Sequence, residues 1–179
     1  MPKIHRLSSM RLPDWDYTAP SDYFITICTH QRECLFYDDN FRRAAEGIWR
    51  AIPTRPYARD RVRLDEWVLM PDHFHAILRL LNYLPRWQSK NRDPDKLQPS
   101  SVGSIVGNFK SIVAKRINLV RDTLGEKVWQ RGYYDRLIRD EHELEIIRQY
   151  IRNNPDRWEK NQDNLDAHLS QMRWVSWVE

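Results

Sequence analysis

The sequence predicts an α+β domain, and three observations carry that expectation. Short runs rich in aromatic and β-branched residues mark four strands. Longer segments place apolar residues at helical spacing between and after them. The resulting order is β-α-β-β-α-β with one further helix, which sets helices on one face of an antiparallel sheet. That is the ferredoxin-like, split β-α-β pattern, extended by a C-terminal helix.

Each element has its own signal. "YFITICTH" at 23–30 reads as the first strand. Phe41, Ala44, Ala45, Ile48, Trp49 and Ile52 then trace a helix. Asp38, Asp39 or Asn40 can cap its start, and Pro53 closes it. "VRLDEWVLM" at 62–70 and "HFHAILRL" at 73–80 form a hairpin around the tight turn of Pro71 and Asp72. A polar loop from Pro85 to Pro99 is long enough to imply a function or mobility. The second helix follows, with Val102, Ile105, Val106, Phe109, Ile112, Val113, Ile117 and Val120 along one stripe. A strand at 133–139 precedes a third helix, which runs from about 141 until Pro155 stops it. The tail ending "SQMRWVSWVE" carries tryptophans that suggest packing on the body.

Composition narrows the class of protein. A chain of 179 residues, 41% hydrophobic and 12% aromatic, is expected to fold as one domain over 1–179. Its core spans about 20–158, and 159–179 form the tail. Lys and Arg number 29 against 25 Asp and Glu, a surplus of +4 that permits a nucleic-acid partner without requiring one. Five glycines and no glycine-rich loop argue against a nucleotide cradle. Cys28 and Cys34 form no C-x-x-C pair. Neither a signal-peptide core nor a run of roughly 20 apolar residues is present, so the expectation is a cytoplasmic protein without membrane contact.

The chemistry starts at "LMPDHFHAIL". A strand has a side-chain period of two, so His73 and His75 share one face while Phe74, Ala76, Leu78 and Leu80 form the other. Two imidazoles at adjacent same-face positions make half of a metal site; they are also compatible with an ordinary polar pair. Near the end of the third helix Tyr150 and Asn154 stand four apart, on one face with Ile146 a turn earlier. By themselves they read as a packing residue and a helix-end residue. Leu144, Ile147 and Ile151 make the stripe that docks this helix.

Four motifs in order, "WVLMPDHFHAIL", "GNFKSIVAKRIN", "VWQRGYYDRLIRDEHE" and "YIRNNP", resemble the REP-associated tyrosine transposases, which belong to the single-tyrosine HUH transposases. The resemblance covers roughly 20–158. It implies that His73 and His75 bind a divalent metal, Mg2+ or Mn2+, with Asn154 completing the site where insertion-sequence relatives often carry Gln. It implies that Tyr150 is the nucleophile that cuts single-stranded DNA at hairpin sequences through a 5′-phosphotyrosine link. The ligand types alone admit zinc as well. Insertion-sequence relatives work as dimers with the tyrosine helix exchanged between subunits, whereas REP-associated members can act alone; both a monomer and a homodimer stay open.

Lys110, Arg131, Arg136, Arg148 and Arg152 are the expected DNA-backbone contacts. Tyr133, Tyr134, Trp129 and Trp87 are candidates for stacking on unpaired bases. Two rivals remain at this point. One is a non-catalytic nucleic-acid-binding module of the same fold. The other is a zinc hydrolase with a water nucleophile.

Overall fold

The computed structural model describes residues 15–56, 58–82 and 100–160. The polar loop from Pro85 to Pro99, Trp87 and the C-terminal tail from 161 onward lie outside the described residues. Four strands form one antiparallel sheet: β1 (Ser21–Cys28), β2 (Val62–Leu69), β3 (His73–Leu80) and β4 (Tyr134–Ile138). Their order is β2-β3-β1-β4, so each β-α-β crossover skips one position and the skipped strand fills it. This is the expected α+β arrangement. Helices α1 (Asp39–Arg50) and α2 (Val102–Arg121) serve as the two crossovers.

Local chemistry explains where the helices begin and end. The Asp38 carboxylate accepts from the backbone N–H groups of Asn40 and Phe41, satisfying donors that the first turn of α1 leaves open. Ser101 does the same for α2 through Ser104 N. Asp122, in the left-handed region, caps the far end of α2. The third helix, α3 (Glu141–Arg152), is capped by the Asp140 side chain on Glu143 N.

The sheet is covered on both faces: one alternating set of its central strands is apolar, and the other sets Phe24 and Ile77 beside the buried Thr26, His73 and His75. Tyr23, Ile25 and Ile27 of β1 with Phe74, Ala76 and Leu78 of β3 pack under α1 and α2, around Trp49, Phe109 and Val113. Trp49, Phe74 and Phe109 meet edge-to-face or tilted, with ring centroids 4.8–5.4 Å apart. The opposite face, bearing Phe24, Ile77, Tyr134 and Ile138, is covered by Leu144, Ile147, Tyr150 and Ile151 of α3. The two crossover helices therefore share one face, as expected, and the added helix takes the other.

Two features depart from the expectation. Pro155 does not end the helical region; it lies in the first turn of a separate helix, α4 (Asn154–Lys160), where a missing N–H costs nothing. Consequently Tyr150 and Asn154 do not share one helix face. Ile146 is 40% exposed and stands away from Tyr150, whose ring is buried among the docking residues.

A buried Arg61 guanidinium gathers the carbonyls of Thr18, Asn82 and Ser100. It thereby ties the strand β3 exit to the approach of α2. Among the described residues no helix is long and apolar enough to cross a membrane.

Candidate active site

The antiparallel register of β1 and β3 sets His73 opposite Cys28, His75 opposite Thr26 and Ile77 opposite Phe24. All of these point toward α3. His73 is 2% exposed and His75 fully buried, with ring centroids 4.6 Å apart. Both imidazoles therefore lie between the sheet and the helix that carries the tyrosine.

The fixing of α3 decides where Tyr150 falls. A bulge in β2 between Leu64 and Trp67 inserts one residue relative to β3. At the bulge, the Asp65 carboxylate accepts two bonds from Arg148, at 2.9 and 2.8 Å, and Glu66 accepts two from Arg152, at 2.9 and 2.6 Å. Arg148 and Arg152 are four apart and flank Tyr150, so they hold its turn of helix onto the sheet edge. At the other edge Arg136 of β4 pairs with Glu143. The Arg148 bond holds Asp65 below the usual carboxylate range, against burial.

Tyr150 is thereby brought to the imidazoles. Its Oη lies 3.2 Å from His75 Nε2. On the other side of that ring, Nδ1 is 2.9 Å from Thr26 Oγ1. The tautomer consistent with both contacts has Nδ1–H donating to Thr26 and Nε2 accepting from the phenol. The Tyr150 ring packs edge-on to Phe24 at 6.1 Å, and the Arg157 guanidinium sits 5.7 Å above it.

His73 differs from His75 in its free nitrogen. Its Nδ1 is 2.5 Å from Asp72 Oδ1, yet its buried Nε2 has no hydrogen-bond partner. Asn154, at the start of α4, is 7% exposed. Its amide bears on both Tyr150 and His73, and Trp158 of α4 comes within 5.8 Å of the His73 ring. Thus β3, α3 and α4 bring His73, His75, Tyr150 and Asn154 to one place.

Burial dominates the ionisation of this cluster. It pushes Tyr150 well above the ordinary phenol value, opposed by the Asn154 hydrogen bond and the charges of Arg157 and Arg32. Burial also lowers His73, opposed by Asp72, and lowers His75 much further, assisted by the charges of His73 and Arg32. Both imidazoles are therefore neutral at neutral pH, the state that can ligate a cation.

This has a consequence for stability. Both folded-state histidine values lie below the unfolded value of about 6.5, so the unfolded chain binds more protons in that interval. The histidine contribution is complete above pH of about 6.5 and is lost as pH falls toward the folded values. Asp65 adds a second loss below about 4, where its bond to Arg148 is protonated away. A melting series from pH 8 to 4 without added metal should show Tm falling from about 6.5 downward. In His75→Gln the first part of that slope should shrink.

The residues fit a divalent cation. An orphaned imidazole nitrogen, a second imidazole and an amide are neutral donors, so a bound dication would keep its full charge for a phosphate. Among the described residues no cluster of three or more His, Cys, Asp or Glu could hold a metal. A third protein donor would have to be of another residue type, and the Asn154 amide, which acts on both Tyr150 and His73, has suitable chemistry. The alternative use of His75, as a base that deprotonates Tyr150, is weaker. Its basicity is suppressed, and Thr26, which orients it, brings no charge to stabilise an imidazolium.

The expected DNA contacts are distributed differently. Arg148 and Arg152 are engaged with the β2 bulge and Arg136 with Glu143, so phosphate would have to compete with carboxylates already in place. Lys110 donates to the carbonyls of Gln130 and Gly132, at 2.8 and 2.6 Å, and pins the turn before β4; burial lowers its pKa. Arg131 is exposed on that turn. Trp129 and Tyr134 are buried and Tyr133 half-buried against the core, so these rings pack. Arg148→Met should lower stability by about 1 kcal/mol, read from urea unfolding, because it leaves Asp65 without its bidentate partner.

Sequence reasoning passed over Asp72, Thr26, Arg32, Arg157 and Trp158. Asp72 had been accounted for by the turn, and the others carry no spacing signal.

No family model matches the chain. Its fold is similar to that of a solved REP-associated tyrosine transposase bound to a REP hairpin, with a TM-score of 0.55. That alignment covers 83% of this chain and 74% of the other at 18% identity, and it shows the shared fold. In sequence, the chain is 34% identical over 180 residues to an uncharacterized protein of Haemophilus influenzae, covering 91% of this chain and 96% of that one. The chain belongs to the same family as that Haemophilus protein.

Proposed function

We propose that this protein is a transposase-like enzyme that cuts and rejoins single-stranded DNA through Tyr150, using a divalent cation held by His73, His75 and Asn154. One observation carries the reading. The Tyr150 hydroxyl lies 3.2 Å from His75 Nε2, whose ring is 4.6 Å from that of His73, and the buried His73 Nε2 has no geometrically formed hydrogen bond.

A phenol is a poor nucleophile at neutral pH, and a phosphodiester anion repels any anion that attacks it. The bound Mg2+ or Mn2+ would grip the scissile phosphate and offset the charge that builds up in the transition state. His73 and His75 would hold the cation through neutral nitrogens on a rigid strand, with the Asn154 amide of α4 as the third donor. Tyr150 is held at the phosphate by α3, itself fixed through Arg148 and Arg152. Attack by Oη on phosphorus forms a phosphotyrosine bond, and the 3′ oxygen leaves and takes up a proton. One phosphoester replaces another, so the step is near isoenergetic, needs no nucleotide, and runs backward onto a different 3′ end. Because the tyrosine reaches the imidazoles in cis, no exchanged helix is required, which favours a chain that acts alone.

The hairpin-bound neighbour makes hairpin-forming strands the first substrates to try. The test is to incubate the protein with end-labelled hairpin strands and Mn2+, then run a denaturing gel. An SDS-resistant protein–DNA adduct is the expected result. Cleavage without an adduct would point to a hydrolase, and hairpin binding without cleavage to a recognition module; either outcome overturns the proposal.

A further inference from the structure

The carboxylate of Asp72 is more than the second residue of a turn. Met70 N bonds to His73 O across Pro71 and Asp72, so the hairpin closes with those two residues alone. The backbone of the turn is then pinned from outside. Thr29 N–H donates to the Asp72 carbonyl at 2.9 Å, the single Thr29 hydroxyl proton is placed between Glu33 O at 2.8 Å and Asp72 O at 2.9 Å, and Phe36 N donates to Pro71 O.

The side chain of Asp72, 4% exposed, points inward and bridges two donors. Oδ1 is 2.5 Å from His73 Nδ1, and Oδ2 is 2.8 Å from Arg32 Nε. Arg32 is fixed in turn, its Nη1 lying 3.0 Å from Cys28 Sγ. Its backbone is unusual: Gln31 and Arg32 both occupy the left-handed region, with φ of 52° and 59°. Two consecutive non-glycine residues in that region are unfavourable, and such conformations concentrate where a side chain must be held in one place.

A buried carboxylate that accepts from Nδ1 leaves the proton on that nitrogen and the lone pair on Nε2. Nε2 is the buried nitrogen of His73 without a geometrically formed hydrogen bond, and the Asn154 amide acts on the same ring. We propose that Asp72, anchored by Arg32, is the positioning residue that sets the tautomer and ring orientation of His73, so that its Nε2 lone pair faces the cation. This rests on the reading of His73 as a ligand given above. Asp72 touches neither phosphate nor cation; it acts through the imidazole.

The isosteric variant Asp72→Asn makes a sharp test. An amide has one oxygen for two donors, and the Arg32 guanidinium, which can only donate, takes it. The NH2 group then faces His73 Nδ1 and drives the proton to Nε2. Histidine 15N spectra of the metal-free protein at pH 8 should show His73 protonated on Nδ1 in the wild type and on Nε2 in Asp72→Asn. Mn2+ affinity, measured by calorimetry, should weaken roughly 10- to 100-fold in the variant. The double variant Arg32→Leu/Asp72→Asn frees the amide oxygen for His73 and should restore the Nδ1 tautomer.

A merely structural Asp72 would leave the tautomer unmoved. If Asp72→Asn keeps Nδ1–H while wild-type protein binds Mn2+, the role of Asp72 is overturned and the metal reading stands. Failure of Mn2+ to bind the wild type overturns the metal reading itself, and with it the purpose assigned here to the tautomer.

Discussion

Tyr150→Phe should abolish the covalent DNA adduct altogether while leaving hairpin binding close to wild type. No other side chain of the cluster supplies an oxygen at the position of Tyr150 Oη, so the phosphoester has nothing to form on. The ring should stay in place, because Phe24 and Arg157 hold its edge and face rather than its hydroxyl. The substitution also has a second, less obvious effect. In the wild type the phenol uses the lone pair of His75 Nε2 that a bound cation would need, so the two would compete. Without the hydroxyl that nitrogen is buried and unsatisfied, which should cost about 1–3 kcal/mol of stability in the metal-free protein. The same loss of competition should tighten Mn2+ binding roughly three- to tenfold. Denaturing gels read the first effect and calorimetry the second. An adduct formed by Tyr150→Phe would remove Tyr150 from the chemistry.

His75→Ala should have the largest combined effect on stability and metal binding. It deletes a ring that stacks on Phe24 at 5.4 Å and leaves a cavity between the sheet and α3. It also removes the ring nitrogens bonded to the Thr26 and Tyr150 hydroxyls, leaving Tyr150 its Asn154 hydrogen bond. The cavity and the lost hydrogen bonds together should cost about 2–4 kcal/mol in urea unfolding. Mn2+ should raise the Tm of the wild type, since a ligand that binds only the folded state stabilises it. It should leave the Tm of His75→Ala unchanged. Equal Mn2+-dependent shifts in both proteins would exclude His75 as a ligand.

Arg148 and Arg152 show how the same residue type can serve two ends. A cluster of arginines around a nucleophile suggests phosphate contacts when only the sequence is in view. In the fold each faces a carboxylate of β2, and the pair fixes the turn of α3 that carries Tyr150. The bulge that aims Asp65 and Glu66 at them leaves no mark in "VRLDEWVLM", because it is a mismatch between two strands rather than a property of one. The departure at Pro155 has a similar origin. A proline is compatible with the end of one helix or the first turn of another, and the choice depends on how Asn154 and Trp158 settle over His73.

Sequence alone determined the four strands, the first three helices, their order and the common face of His73 and His75. These follow from side-chain periods of 2 and 3.6, turn chemistry and caps, all local to a few residues. Tertiary structure decided that the opposite face of the sheet is closed by α3, that Tyr150 meets His75, and that Asp72 holds His73. Those outcomes depend on strand register, a bulge and the docking of helices distant in the chain. Contacts of that kind arise from the balance of burial and pairing over the whole domain, which no short stretch of residues encodes by itself.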